Sequence, residues 1–436
     1  MTLRACLFAA ALVAAAAFPT LAAAAIEPAQ QQTGALPRGG KFVVYPDPTV
    51  GSAAIGLWFR APGAGYDNAT PGIANLAATA VAVAPLASGK SLYALVHSVG
   101  GELNVQVYPD IVGIAVTVPA SATRRVVAAI TAAYFAPSVN DAAVKVARAN
   151  AAVLGVQERY ESDTALHDLL FKQLFDRGPA HYPPLPSNIP QITGITTAQI
   201  NDFSKRAFRS DNAVLTLTGN VDASNVTAVT DGSGSGNMDP PYDSAIAPSP
   251  AAATASGLVG GIGLGWVGPP ISDEKAATAL DFVADYLFRE ETGVVTKALD
   301  RSASSALVVG QFITLHDPGV MVVTIGGDRE QDARDRVLAA LSSMRTPLDA
   351  RTFEAAREAF LYHVAADTQT PQERADNLGW YSVEGDVSYA PGIAGGTYAH
   401  LVRQLDPAYV ADVVKHYLQA PVVVTLLSST PKESSQ

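Results

Sequence analysis

Seven histidines and a single cysteine bound the chemistry open to this 436-residue chain. A metal-binding helix presents two imidazoles three or four residues apart, so that both lie on one face. No two of His97, His167, His181, His316, His363, His400 and His416 stand three to five residues apart. Cys6 is the only cysteine, which excludes an intrachain disulfide and a Cys-ligated zinc site. A nucleophilic serine in a G-x-S-x-G elbow needs a strand before it and a helix after it. Gly232-Ser233-Gly234-Ser235-Gly236 has the letters, but it lies in a linker-like run. Gly260, Gly261, Gly263 and Gly265 fall within a strand pattern rather than at a strand-to-helix turn, so they do not read as a phosphate cradle. His167-Asp168 and His363 read as ordinary polar residues on helices, and Glu290-Glu291 as a solvated charge pair.

The elements that would position any site are clearer than the site. Hydrophobic residues make up 48% and charged residues 16%, which excludes a disordered chain and allows a sizeable core. The net charge of -11, without a basic stripe, argues against nucleic acid as a partner. Arg4, the apolar run Leu7–Leu21 and the small residues Ala22–Ala25 read as a signal peptide over residues 1–25. This implies a periplasmic or secreted mature protein. No later run is long enough to span a membrane, so no membrane partner is expected.

The rest of the chain repeats itself. Residues 231–256 are rich in Gly, Ser and Pro and lack hydrophobic periodicity, which marks a flexible linker. It separates residues 26–230 from residues 257–430, with a tail at 431–436. In each half a strand precedes a helix, a strand pair follows, then several amphipathic helices, a last helix and a closing strand. The segments echo in order: IGLWF at Ile55 and IGLGW at Ile262, GIAVTVP at Gly113 and VMVVTIG at Val320, RRVVAAI at Arg124 and DRVLAAL at Asp335. Their offsets stay between 207 and 211 residues. The expected fold is α+β: two homologous domains, each an antiparallel or mixed sheet with helices packed on one face.

Three phrases give a resemblance. PGIANLAATA at Pro71, GGELNVQV at Gly100 and ITTAQINDFSKRAFRSDNAVLTLTGNVD at Ile195 resemble segments of the pitrilysin/insulinase zinc metallopeptidases, in particular the short bacterial and mitochondrial-processing-peptidase type. The resemblance covers essentially the whole mature chain. It implies an inverted H-x-x-E-H helix, in which two His bind zinc, the Glu acts on zinc-bound water, and a further Glu ligates from a later helix.

The matching positions here are Asn75, Ala78 and Thr79, and the later run Ala149–Gln157 holds no carboxylate. Zinc is therefore expected to be absent and no catalytic or metal residue is assigned. The strand Leu103, Asn104, Val105, Gln106 matches the edge that pairs with extended peptide in the family; it is either open to a peptide or covered by the other half. An Arg/Tyr device of the family is degraded: Arg301 is shifted from the Arg position and Leu307 replaces Tyr. The resemblance thus implies a non-catalytic partner subunit of a zinc-bearing homologue, or a self-associating dimer, acting on extended peptide. The alternatives are a stand-alone peptide-binding module and an active zinc peptidase with an unrecognised site.

Overall fold

The computed structural model describes residues 31–428 except 61–69, 71, 109, 159, 176–191, 233–251, 302–305, 328 and 394. The expected signal segment, most of the expected linker and the tail lie outside the described residues.

In the first half, β1 (Gln32–Ala35), β2 (Lys41–Pro46) and β3 (Ser52–Arg60) precede helices α1 (Ile73–Val83) and α2 (Leu92–Ser98). The hairpin β4 (Glu102–Val107) and β5 (Ile111–Pro119) follows, then α3 (Thr123–Phe135), α4 (Asp141–Glu158), α5 (Ser162–Phe175), α6 (Thr197–Ala207) and β6 (Ala213–Gly219). The second half begins with β7 (Ala252–Gly257), β8 (Gly261–Val267), α7 (Glu274–Phe288) and α8 (Val294–Arg301). It continues through β9 (Leu307–Ile313), β10 (Val320–Gly326), α9 (Glu330–Ser343), α10 (Ala350–Ala366), α11 (Pro371–Glu384), α12 (Thr397–Gln404), α13 (Pro407–Tyr417) and β11 (Val422–Ser428).

The first sheet has the order β1-β2-β6-β3-β5-β4 and the second β7-β11-β8-β10-β9. With β1 set aside, the two orders coincide strand for strand. The one parallel pairing recurs too, as β2 with β6 and β7 with β11. The duplication read from the sequence is therefore present in the topology. The linker boundary is corrected: residues 252–256 are not linker but most of strand β7, paired in register from Ala252 with Val423 to Gly257 with Ser428. Small residues dominate AATASG, so its composition resembles a linker while its backbone forms the sheet edge. The strand expected from Leu258 begins at Gly261, and α8, α12 and β1 have no counterpart in the sequence reading.

Alternation along the central strands produces two apolar faces. Ile55, Leu57 and Phe59 of β3 enter a core with residues of α1 and α3, whereas Trp58 belongs to the core of the second half. Each sheet is covered on one face by helices of its own half. The opposite face is covered by one helix from the other half.

Helix α5 lies on the second sheet, where Leu166, Leu170 and Leu174 form one buried row four residues apart and join Val320, Val322, Val424 and Leu426. The row fits because the facing strand lacks side chains: a Cβ on Gly261 would meet Leu166 at 2.8 Å, on Gly263 Leu170 at 3.0 Å, and on Gly265 Leu174 at 3.1 Å. The alternate glycines of β8 are thus a trough for a helix. Each buried leucine contributes about 2 kcal/mol by area transfer.

Helix α11 lies on the first sheet with the sizes reversed. Gly379 faces the ring of Trp58, and any Cβ there would collide with the indole. Threonines pin both helices. Thr117 Oγ1 donates to Gln372 Oε1 (2.5 Å), Thr218 Oγ1 to the Pro371 carbonyl (2.5 Å) and Thr216 Oγ1 to the Ala375 carbonyl (3.1 Å). Thr324 donates to Asp163 at the position in the second half that matches Thr117.

Candidate functional site

Helix α1 carries the three positions where the resemblance implies zinc chemistry. Asn75 and Thr79 are half-buried, one turn apart on one face. Ala78 is fully buried, and its carbonyl accepts the Tyr134 hydroxyl at 2.8 Å. Burial pushes the Tyr134 phenol up, so it remains a donor. Helix α4, which would supply the later ligand, packs against α1. Ala74, Ala77 and Ala78 share a core with Ala143, Ala147 and Ala151. An amide, a methyl and a neutral hydroxyl do not fit a zinc ion, and small-residue packing occupies the seam between the helices. Among the described residues no group of three or more His, Cys, Asp or Glu is placed to hold a metal ion. The solvent side of α4 exposes Val146, Val153, Leu154 and Val156 beside Lys145 and Asn150, and Tyr160 just beyond the helix is 66% exposed.

The remaining sequence candidates separate. Arg301 ends α8, and its side chain lies outside the described residues. Leu307, at the expected Tyr position, opens β9 and is 67% exposed. Leu103, Asn104, Val105 and Gln106 lie in β4, which pairs with β5 along one side and forms the sheet's outer edge. Leu103 and Val105 turn toward the first core, while Asn104 is exposed. Gln106 reaches a cleft between the two halves.

That cleft has a volume of about 640 Å³. Its walls are the two matching sheet edges, β4 at Gln106–Tyr108 and β9 at Gln311–Ile313, and its other sides are the exchanged helices α5 and α11. The helices present equivalent positions 209 residues apart: Asp163 and Gln372, His167 and Asp376, Phe171 and Trp380. Tyr108 meets Trp380 edge-on at 4.6 Å, and Trp380 Nε1 donates to the Thr314 carbonyl at 2.7 Å. Gln372 Nε2 reaches both oxygens of Asp376 at 2.9 Å. Burial holds the Asp376 carboxyl above its usual range. Burial first, and then the nearby Asp376 charge, push the Tyr108 phenol up to about 12. Burial also lowers His167, partly opposed by Asp163, so its imidazole is neutral near pH 7. The sequence offered β4 as a candidate; β9, α5 and α11 were missed because nothing local says that a helix crosses to the other half.

A second cavity of about 390 Å³ adjoins the cleft behind β9. There Asp281 accepts the Tyr398 hydroxyl at 2.8 Å, and burial raises its carboxyl to about 7. His363 Nδ1 lies 2.9 Å from Asp285, and Arg289 grips both oxygens of Asp367 at 2.5 and 2.7 Å.

The joint between the halves holds another acid pair. Asp110, beside the β4–β5 turn, and Glu384, at the end of α11, are both buried. Asp110 Oδ1 and Glu384 Oε1 are buried without a donor among the described residues, and each carboxyl influences the other's titration, so that one proton shared between them would satisfy both. The His316 backbone N–H donates to Asp110 Oδ2 at 3.0 Å, and His316 Nδ1 lies 3.0 Å from the Glu384 carbonyl. Arg60 Nη2 stands 3.2 Å from His316 Nε2. Burial drives both acids up, Glu384 well above the usual range with the Asp110 charge adding to it.

This architecture is shared with solved structures, M16-like peptidases among them. A protease from Helicobacter pylori superposes with a TM-score of 0.80 at 16% identity, over 92% of this chain and 99% of that one. A protein described as the inactive domain of an M16 peptidase from Pseudomonas fluorescens gives 0.74 at 15%, over 92% and 98%. A chain of complex III2 from Candida albicans gives 0.74 at 10%, over 91% and 96%. No protein-family model matches the sequence, and no curated protein matches it. The chain has an M16-like fold.

Proposed function

We propose that this chain is a non-catalytic relative of the M16 peptidases that holds extended peptide in its interdomain cleft and serves as the partner subunit of a zinc-bearing homologue. The observation that carries the reading is the contrast between its two candidate sites. At α1, ligands are replaced by Asn75, Ala78 and Thr79, and the seam is closed by packing. At the cleft, residues of two edge strands border an open space of about 640 Å³. A free edge supplies main-chain hydrogen bonds to any extended chain, and the neighbouring pockets supply selection. The exposed apolar side chains of α4 support association with a partner. Similarity in fold to an inactive domain and to a chain of a multi-subunit complex supports the subunit role. Zinc is not part of this chain's chemistry in this reading, and the mature protein works in the periplasm or outside the cell.

Both edges belong to one chain, which favours a second reading: a stand-alone peptide-binding module. The test begins with the zinc-to-protein ratio of the purified mature chain, measured by elemental mass spectrometry. The expected ratio is near zero, with no chelator-sensitive peptidase activity. Co-purification with a zinc-bearing homologue, and activity only in the mixture, supports the subunit reading. A monomer or homodimer that binds peptide without any partner supports the module. A ratio near one, with activity in the lone chain, defeats both.

A further inference from the structure

Five carboxylates line the cleft (Asp163, Asp168, Asp367, Glu373 and Asp376) and no Lys or Arg does so among the described residues. Four of them have a visible employment or a place elsewhere. Asp367 is neutralised by Arg289, Asp163 accepts from Thr324, Glu373 caps α11 through Thr370, and Asp168 sits on the α5 side. Asp376 differs. It is half-buried, it accepts hydrogen bonds from the neutral amide of Gln372, and no cation among the described residues pairs with it. A half-buried carboxylate without a counter-charge is an unfavourable arrangement unless a cation arrives. Its surroundings suit one. Trp380 lies one turn further along the same face of α11, locked by its bond to Thr314, with Tyr108 edge-on against it. Aromatic faces beside a carboxylate attract an ammonium or guanidinium group by both charge and ring quadrupole. The corner lies beside Gln106 and Val107, at the end of the edge strand β4.

We infer that the corner formed by Tyr108, Asp376 and Trp380 is a side-chain pocket for lysine or arginine, so that the peptide held in the cleft is a cationic one. This rests on the peptide-binding reading above and adds the class of peptide to it. The alkyl stem of the lysine lies along the aromatic rings and its ammonium replaces the missing counter-charge of Asp376.

The test uses the full mature chain and three end-blocked ten-residue peptides of Ser, Thr and Val that differ at one central position: lysine, norleucine or glutamate. Binding is followed by calorimetry in low salt and at 0.5 M salt. The lysine peptide is expected to bind about tenfold more tightly than norleucine, with glutamate weakest, and the advantage should shrink in high salt. Asp376→Asn keeps the shape and one acceptor for Gln372, and it should bring the lysine and norleucine affinities together. Equal affinities of lysine and norleucine in the unmodified protein would overturn the pocket while leaving peptide binding intact. A lysine preference that survives in Asp376→Asn also overturns it. Failure of all three peptides to bind overturns the peptide-binding reading itself. The comparison within the unmodified protein stands even if the variant fails to fold.

Discussion

The shared proton of Asp110 and Glu384 makes the joint between the halves sensitive to pH, and Glu384→Gln tests it. In the unfolded chain both carboxyls ionise near pH 4. In the folded protein burial drives both acids up, and Glu384 most. Above pH 4 the folded state therefore holds one more proton than the unfolded state. The linkage sign follows: stability is fully present below the ordinary carboxylate range and falls as pH rises toward the folded-state titration, then levels off. The slope is about 1.4 kcal/mol per pH unit for one extra proton. The amide that replaces the Glu384 carboxyl would donate to Asp110 without needing the proton, so the variant loses this slope. Urea unfolding of the wild type and Glu384→Gln at half-unit steps from pH 5 to 8 reads the difference directly. Their stability curves should diverge in favour of the variant as pH rises, by about 1.4 kcal/mol per unit within the window. Arg60 and His316 are the charged or titratable neighbours, and both are unchanged in the comparison. Parallel curves, with a constant difference at every pH, would refute the shared proton. Asp110→Asn is the reciprocal variant and should give the same divergence.

Three further outcomes follow from the packing and the buried acids. Asp281 titrates at about 7, so the stability it gives is lost as pH rises from 4 through 7; Asp281→Asn removes that part of the slope, and Tyr398→Phe moves the carboxyl titration, read by carbon-13 NMR, still higher. Leu170→Ala empties the trough over Gly263 and Gly265 and should lower stability by about 2–5 kcal/mol in urea unfolding, and Gly379→Ala should lower it by about 1–3 kcal/mol because Trp58 leaves no room for a methyl group. Residues 31–232 and 252–428 expressed as separate chains should each be aggregated or poorly folded, whereas co-expression should restore one soluble complex with the helical circular dichroism of the whole; a soluble, folded half on its own counts against mutual cover.

The duplication was legible because strand alternation and ordered echoes survive wherever both halves keep a sheet: Ile55 of β3 and Ile262 of β8 each enter the core of their own half. The start of helix α6 is punctuated by Thr196 and Gln199, which form a reciprocal cap. Strand β7 was not, since a run of Ala, Thr, Ser and Gly has the composition of a linker and becomes a strand only through parallel pairing with β11. At α5 the periodicity shows which side is apolar, through Leu166, Leu170 and Leu174, but not which sheet will receive it. The glycines of β8 were legible as part of a strand, yet their purpose appeared only with the helix that fills them. The replacements at Asn75, Ala78 and Thr79 were readable from a motif, whereas Asp376 gained meaning only when the fold set it beside Tyr108, far away in sequence.

The exchange of helices has a consequence for how such a molecule can change. A chain of half this length, with one sheet and one outgoing helix, leaves a broad apolar face uncovered, and two identical copies related by a twofold axis would cover each other. In that symmetric arrangement every substitution alters both contacts at once. Joining the copies end to end removes the restriction. Here the two contacts have taken opposite solutions: bulk on the helix over bare strand at Leu170, Gly263 and Gly265, and bulk on the strand under bare helix at Trp58 and Gly379. Neither helix can now serve in the other's place. The two halves have become complementary rather than interchangeable, which fixes their pairing within one molecule and disfavours exchange between neighbouring molecules.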